Sequence, residues 1–66
     1  VAWAKIQENI ANVYYNIGKN AKDKTALAEA IDYYQSALKV YENKKLRQDI
    51  IVVNNSMDKV MKAWKM

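Results

Sequence analysis

Apolar side chains recur at steps of three and four residues in three separate segments of this 66-residue chain. The first segment carries Trp3, Ile6, Ile10, Val13, Tyr14 and Ile17. The second carries Leu27, Ile31, Tyr34, Leu38 and Tyr41, and the third carries Leu46, Ile50, Val53, Met57, Val60, Met61 and Trp64. This spacing is typical of amphipathic α-helices. The sequence therefore predicts an all-α, antiparallel array of three helices, over about residues 2–18, 25–42 and 45–65 of a single domain.

Polar residues separate the three stripes. Gly18 follows the first stripe, where a glycine can end a helix in the left-handed conformation, and residues 19–24 are predicted to form a loop. Asp23 or Thr25 is expected to cap the second helix by accepting a backbone N–H bond. The sequence ENKK at 42–45 marks the second break.

Two alanines on the second stripe are unexpectedly small. Ala30 and Ala37 lie two helical turns apart with Tyr34 between them, although leucine would bury more surface at either position. A small residue repeated on one face indicates that the backbone of another helix comes close there.

These alanines belong to a pattern that resembles the tetratricopeptide repeat, a helical hairpin. Ala30, Tyr34 and Ala37 are similar to its second-helix signature, and Ile10, Ala11 and Tyr14 to its Leu-Gly-x-x-Tyr signature. Residues 3–14 (WAKIQENIANVY) also resemble the opening helix of longer-period bacterial repeats. The resemblance implies a third helix that caps the hairpin or begins the next repeat. It also implies a hairpin core of Ile10, Ala11, Tyr14, Ala30, Tyr34 and Ala37.

Ligand contacts in such repeats lie on the inner face of the first helix. The resemblance implies a polar, lysine-edged groove for a protein or peptide, acidic or rich in amides. Its matching positions are Lys5, Glu8, Asn12, Tyr15 and Asn16, followed by Val52, Asn55, Lys59 and Lys62.

The third helix is apolar on more than one face, because Ile50, Ile51, Val52 and Val53 follow one another. A helix of this kind needs neighbours on two sides. An open flank containing Ile51, Val52 and Trp64 is therefore expected to cause self-association, as a homo-oligomer or by exchange of a helix between chains.

The composition argues against catalysis and bound cofactors. The chain contains no histidine and no cysteine, which removes the commonest zinc ligands and the usual base for activating a hydroxyl. We therefore expect neither enzymatic activity nor a cofactor. The longest strongly apolar run, residues 50–53, is far shorter than the roughly 20 residues of a membrane-spanning helix.

The net charge of +4 arises from the second half of the chain, since residues 1–34 carry equal numbers of basic and acidic side chains. A mild preference for acidic partners follows, without specific nucleic-acid binding.

The leading interpretation is a non-catalytic protein-interaction or scaffold module of the tetratricopeptide type, expected in the cytoplasm. One alternative is the three-helix domain of the microtubule-interacting-and-transport type, a monomer that binds an amphipathic helix. Another is a cationic bundle that acts on membranes or anionic polymers. Against the last, Trp3 and Trp64 lie on apolar stripes, where packing in the core is expected.

Overall fold

Three long α-helices account for nearly all of residues 2–65, the part of the chain that the computed structural model describes. They are α1 (Ala2–Ala21), α2 (Lys24–Asn43) and α3 (Arg47–Lys65), with no strand in those residues. The helix α2 packs against both α1 and α3, whereas α1 and α3 touch each other only slightly. The Cα atoms extend over 34 × 18 × 13 Å, so the helices lie side by side. The predicted all-α three-helix array is confirmed.

The first connection is shorter than predicted and does not begin at the glycine. The helix α1 continues through Gly18 to Ala21, and Lys22 takes the left-handed conformation, with φ of 54°. The Asp23 N–H donates to the Gly18 carbonyl oxygen at 2.9 Å, the bond that closes a helix end of this type. The expected glycine cap and the loop over residues 19–24 are therefore wrong.

A close contact explains why position 18 is glycine. A Cβ atom on Gly18 would lie 2.6 Å from Cγ and Cδ2 of Leu27, and 3.0 Å from the backbone oxygen of Asp23. The residue thus serves close helix packing, not a turn.

Asp23 caps α2, and the alternative cap Thr25 lies within the helix. The Asp23 carboxylate accepts from the backbone N–H groups of Thr25 at 3.0 Å and Ala26 at 3.3 Å. The second connection repeats the geometry of the first, with Lys45 at φ 56° and the Leu46 N–H donating to the Tyr41 carbonyl oxygen at 3.0 Å.

Small residues form the interface between α1 and α2. Ala4, Ala11 and Gly18 lie seven residues apart on α1, and all three are buried. Ala30 and Ala37 are buried on α2. Because these side chains are short, the two backbones can approach closely, as the sequence indicated. The bulk of the core comes from Leu27, Tyr34 and Tyr41 of α2 and from Val53 and Val60 of α3.

The apolar stripe of α1 faces outward, contrary to expectation. Trp3, Ile6, Val13 and Ile17 are 48–57% exposed. Trp64 of α3 is 42% exposed, so the expected core packing of the two tryptophans is wrong. The physical reason is that the large side chains Leu27, Tyr34 and Tyr41 of α2 already fill the space against α1, which leaves room there only for small residues of α1. Of the six residues placed in the hairpin core, Ala11, Ala30, Tyr34 and Ala37 are buried, while Ile10 and Tyr14 are half-buried at its edge.

Candidate functional site

Several residues assigned to a peptide groove make contacts that connect the helices. Glu8 is 7% exposed and accepts a hydrogen bond of 2.9 Å from the Tyr41 hydroxyl. Asn12 accepts one from the Tyr34 hydroxyl. The Lys5 ammonium lies 3.6 Å from the Glu8 carboxylate and 3.7 Å from that of Asp49, which links α1 to α3.

Both buried tyrosines are held in their neutral, donating form. Burial, and after it the hydrogen bond to Glu8, raise the pKa of Tyr41 to about 12. Burial also raises the pKa of Tyr34, and a hydrogen bond with Ser56 opposes that shift. These groups therefore serve packing and helix alignment at neutral pH.

The remaining predicted groove residues of α1 lie at its surface. Tyr15 is half-buried, with the Lys19 ammonium 5.3 Å from its ring centre, and Asn16 is exposed. Tyr14 stacks on Tyr33 of α2, with ring centres 5.5 Å apart and planes 8° from parallel.

The α3 residues assigned to the groove, Val52, Asn55, Lys59 and Lys62, are all exposed. Within residues 2–65, no hydrogen bond or ion pair links them to Lys5, Glu8 or Asn12. The flank expected to self-associate is also open, with Ile51 54%, Val52 48% and Trp64 42% exposed.

An open cavity of about 210 Å³ lies between α2 and α3 and is almost entirely apolar. We call it the α2–α3 groove; it is lined by Ile31, Val60, Met61, Trp64 and Lys65. Sequence reasoning placed Met61 and Trp64 on a packed stripe. Both residues line the groove, but they are 51% and 42% exposed, so this part of the stripe is open and not packed.

Lysines surround the end of the molecule where this groove lies. The Lys24 ammonium is 5.5 Å from the Trp64 ring centre, and Lys65 lines the groove itself. A neighbouring cavity of about 280 Å³ is lined by Gly18, Lys19, Lys22, Lys24, Leu27 and Ala63. Apolar and cationic surfaces therefore adjoin each other here.

A second apolar surface lies on the far side of α1. We call it the outer α1 face, and it consists of Trp3, Ile6, Ile10, Val13 and Ile17. Ile10 is half-buried, and the other four are about half exposed. The Lys5–Asp49 pair is on the side of α1 that faces α3, so the outer α1 face points away from the rest of the array.

Metal-binding clusters and membrane-spanning helices are both absent from residues 2–65. Residues 2–65 hold no group of three or more acidic side chains arranged to bind a metal ion. None of the helices in that range is both long and apolar enough to cross a membrane.

Comparison of the chain with protein-family models, with curated proteins and with solved structures found no match.

Proposed function

We propose that this chain is a non-catalytic protein-interaction module of the tetratricopeptide type that binds an acidic peptide or amphipathic helix and self-associates. The observation that carries the proposal is the α2–α3 groove, an open apolar cavity with lysines around it.

The groove suits an apolar anchor from a partner. Trp64 and Met61 are 42% and 51% exposed, and they lie above the buried Val60. Aromatic and methionine side chains around a pocket are favourable binding contacts, because they offer large area or adaptable shape. An amphipathic helix would place one or two large apolar side chains in this groove, as helices do in other groove-binding modules.

Charge selects the class of partner. Lys24 and Lys65 are at the groove, and Lys19 and Lys22 line the adjoining cavity. Carboxylates beside the apolar anchors would therefore be attracted, and basic side chains there would be repelled. Because these lysines are exposed, the attraction weakens as salt is added.

The likeness to a repeat rests on more than the sequence pattern. Hairpins of this type pack two helices through small residues, and Ala11, Ala30 and Ala37 supply that contact here. Helices in stacked repeats also leave apolar faces for neighbours on both sides. Both the outer α1 face and the α2–α3 groove fit that description.

A second candidate function is binding to anionic membranes. The exposure of Trp3 and Trp64 favours it, because tryptophan and lysine together suit a lipid interface. The exposed tryptophans are on different helices, however, and Trp3 is on the outer α1 face, whose flanking positions carry no lysine.

The test is an anisotropy titration with a fluorescent designed helix of about 18 residues, apolar on one face and glutamate-rich on the other. A lysine-rich version of the same helix is the control ligand. We expect micromolar binding of the acidic helix, on the order expected for a small groove. The basic helix should not bind.

Two matched variants of α3 identify the surface. Met61→Asp is in the groove and Ile51→Asp is outside it, and the two side chains are similarly exposed, at 51% and 54%. Met61→Asp should weaken binding at least about 10-fold, a loss of about 1.4 kcal/mol, and Ile51→Asp should not. Equal effects of the two variants, or equal binding of both helices, would refute the groove proposal. Tight binding to phosphatidylglycerol vesicles without peptide binding would favour the membrane function instead.

A further inference from the structure

We propose that the outer α1 face pairs with the same face of a second copy of this chain, with the two α1 helices antiparallel. The proposal gives a location to the self-association included in the proposed function and rests on that part of it.

The spacing of the outer α1 face is that of a coiled-coil seam. Its residues follow one another at steps of three, four, three and four, from Trp3 to Ile17. Such alternation keeps apolar side chains in line against a neighbouring helix. The side chains that pack on α2, among them Ala4, Ala11 and Gly18, are on the opposite side. The seam is thus additional to the packing of the monomer.

The positions on either side of the seam carry no charge. They are Ala2, Gln7, Asn9, Tyr14, Asn16 and Ala21. The charged residues of α1 (Lys5, Glu8 and Lys19) are elsewhere on the helix. Charges beside a seam usually choose the partner and its direction. A partner with acidic or basic flanks would gain nothing here, and would lose hydration of those charges.

This neutrality is what allows a second copy to approach. The chain carries +4 overall, which opposes association through most of its surface. Across the outer α1 face, two copies would bring no like charges together. The seam therefore adds no like-charge repulsion between two copies, unlike the lysine-rich end of the molecule.

The extent of α1 fixes a register. An antiparallel pair centred on the middle of Ala2–Ala21 would place Ile6 opposite Ile17 of the partner subunit and Ile10 opposite the partner's Val13. Trp3 would face the partner's Asn20, so the two indoles would lie at opposite ends of the pair and would not meet. A parallel pair would oppose Trp3 with the partner's Trp3 and would align the two helix dipoles unfavourably.

The size of the surface sets the expected strength. The exposed seam presents apolar area on the order of a few hundred Å², the range in which an exposed patch indicates an interaction site. This is at the low end for specific interfaces, so we expect a dissociation constant of roughly 1–100 μM.

Sedimentation equilibrium from 1 μM to 1 mM on the wild-type chain and two valine variants tests the proposal. Val13→Glu alters the outer α1 face, and Val52→Glu alters α3; both valines are about half exposed, at 57% and 48%. We expect Val13→Glu to raise the dissociation constant at least about 100-fold and Val52→Glu to change it less than about threefold. Ile6→Gln, which adds no charge, should also weaken the dimer. Circular dichroism should show each variant as helical as the wild type.

The reverse ranking would overturn the inference, because it would move the contact to the α3 flank that contains Val52. A wild-type monomer throughout the range would overturn it as well. Neither result affects binding of the acidic helix, which both valine variants should retain. Failure of that binding with an intact dimer would refute the groove alone.

Cysteine pairing tests the direction. The chain has no native cysteine, and Asn9 and Asn16 lie on the same side of the seam, one before and one after the middle of Ala2–Ala21, so an antiparallel pair would bring Asn9 of one copy near Asn16 of the other. A mixture of Asn9→Cys and Asn16→Cys should form mostly the mixed disulfide on mild oxidation. Each variant pairing mainly with itself would contradict the antiparallel arrangement.

Discussion

The two faces of α1 invert the usual relation between size and burial. The inner face packs on α2 through Ala4, Ala11 and Gly18, which are fully or nearly fully buried. The outer face carries Trp3 and Ile6, which are 56% and 54% exposed. A helix that packs closely leaves no room for large side chains at the contact, so hydrophobicity alone does not decide which face is inside.

The inner face also carries polar groups that give the contact its specificity. Glu8 and Asn12 of α1 accept hydrogen bonds from Tyr41 and Tyr34 of α2. A slip of α2 along α1 would leave buried hydroxyls without acceptors, at a cost of about 1–3 kcal/mol each. Small residues set the distance between the helices, and the tyrosines set their alignment.

The largest expected effect follows from enlarging a residue of the close contact. Ala30→Leu adds three carbons at a position whose side chain is 0% exposed. We expect the free energy of unfolding to fall by about 3 kcal/mol or more, which is enough to unfold a large fraction of so small a domain. Urea denaturation followed by circular dichroism measures the change. Ala28→Leu, on the exposed side of the same helix, is the control and should be within about 0.5 kcal/mol of wild type.

Alkaline pH should destabilise the α1–α2 interface, because Tyr41 then ionises. The pKa of Tyr41 is raised from 10.0 to about 12, so its stabilising effect is complete below pH 10 and is lost as the pH rises toward 12. A pKa shift of this size corresponds to a contribution of at most about 3 kcal/mol to the free energy of unfolding.

The comparison variant is Tyr41→Phe, which should be less stable than wild type at pH 8 because Glu8 loses its donor. The difference in urea midpoints should narrow between pH 10 and 12. A difference that stays constant over this range would show that the Tyr41 hydroxyl does not titrate as described.

A smaller effect is expected at Gly18. The Cβ of Gly18→Ala would meet Leu27 at 2.6 Å, but the leucine side chain can shift, and alanine favours the helix by about 1 kcal/mol. We expect a net loss of about 1 kcal/mol in the free energy of unfolding. In a Leu27→Ala background the same substitution should lower the free energy of unfolding less, because the contacts with Leu27 are removed and the one with the Asp23 backbone oxygen, at 3.0 Å, remains. A loss of equal size in both backgrounds would place the strain elsewhere.

The smallest effect is expected on the outer face. Trp3→Ser removes the largest side chain of α1, yet it should change monomer stability by only about 0.5 kcal/mol, because the indole is 56% exposed. Urea denaturation at a protein concentration well below the dissociation constant of the dimer measures it. A loss comparable to that of Ala30→Leu would mean that the stripe is in the core after all.

Some of this arrangement could be predicted from sequence and some could not. The three-and-four spacing identified three helices, and Ala30 and Ala37 indicated a close helix contact, since both are local properties of one helix. Which apolar face of α1 is buried depends on the partner helix, and both faces of α1 hold apolar residues at helical spacing.

The end of α1 likewise could not be predicted from the local sequence. Gly18 looks like a helix terminator when only its neighbours in sequence are considered, but its contact with Leu27 is nine residues away. Glu8 and Asn12 were assigned to a ligand groove through the resemblance to the repeat. Their hydrogen bonds with Tyr41 and Tyr34 could not be predicted, because hydrogen bonds across helices leave no spacing signal. The α2–α3 groove could not be predicted either, because it depends on where Ile31 of α2 lies relative to Trp64 of α3.

Acrylamide quenching of Trp3 as a function of protein concentration tests directly whether the large apolar residues of α1 face outward. In a Trp64→Phe variant, Trp3 is the only tryptophan. We expect strong quenching and red-shifted emission well below the dissociation constant of the dimer, with partial protection toward 1 mM as the second copy covers the indole. Protection at every concentration would contradict the outward-facing stripe, and strong quenching at every concentration would contradict the pairing.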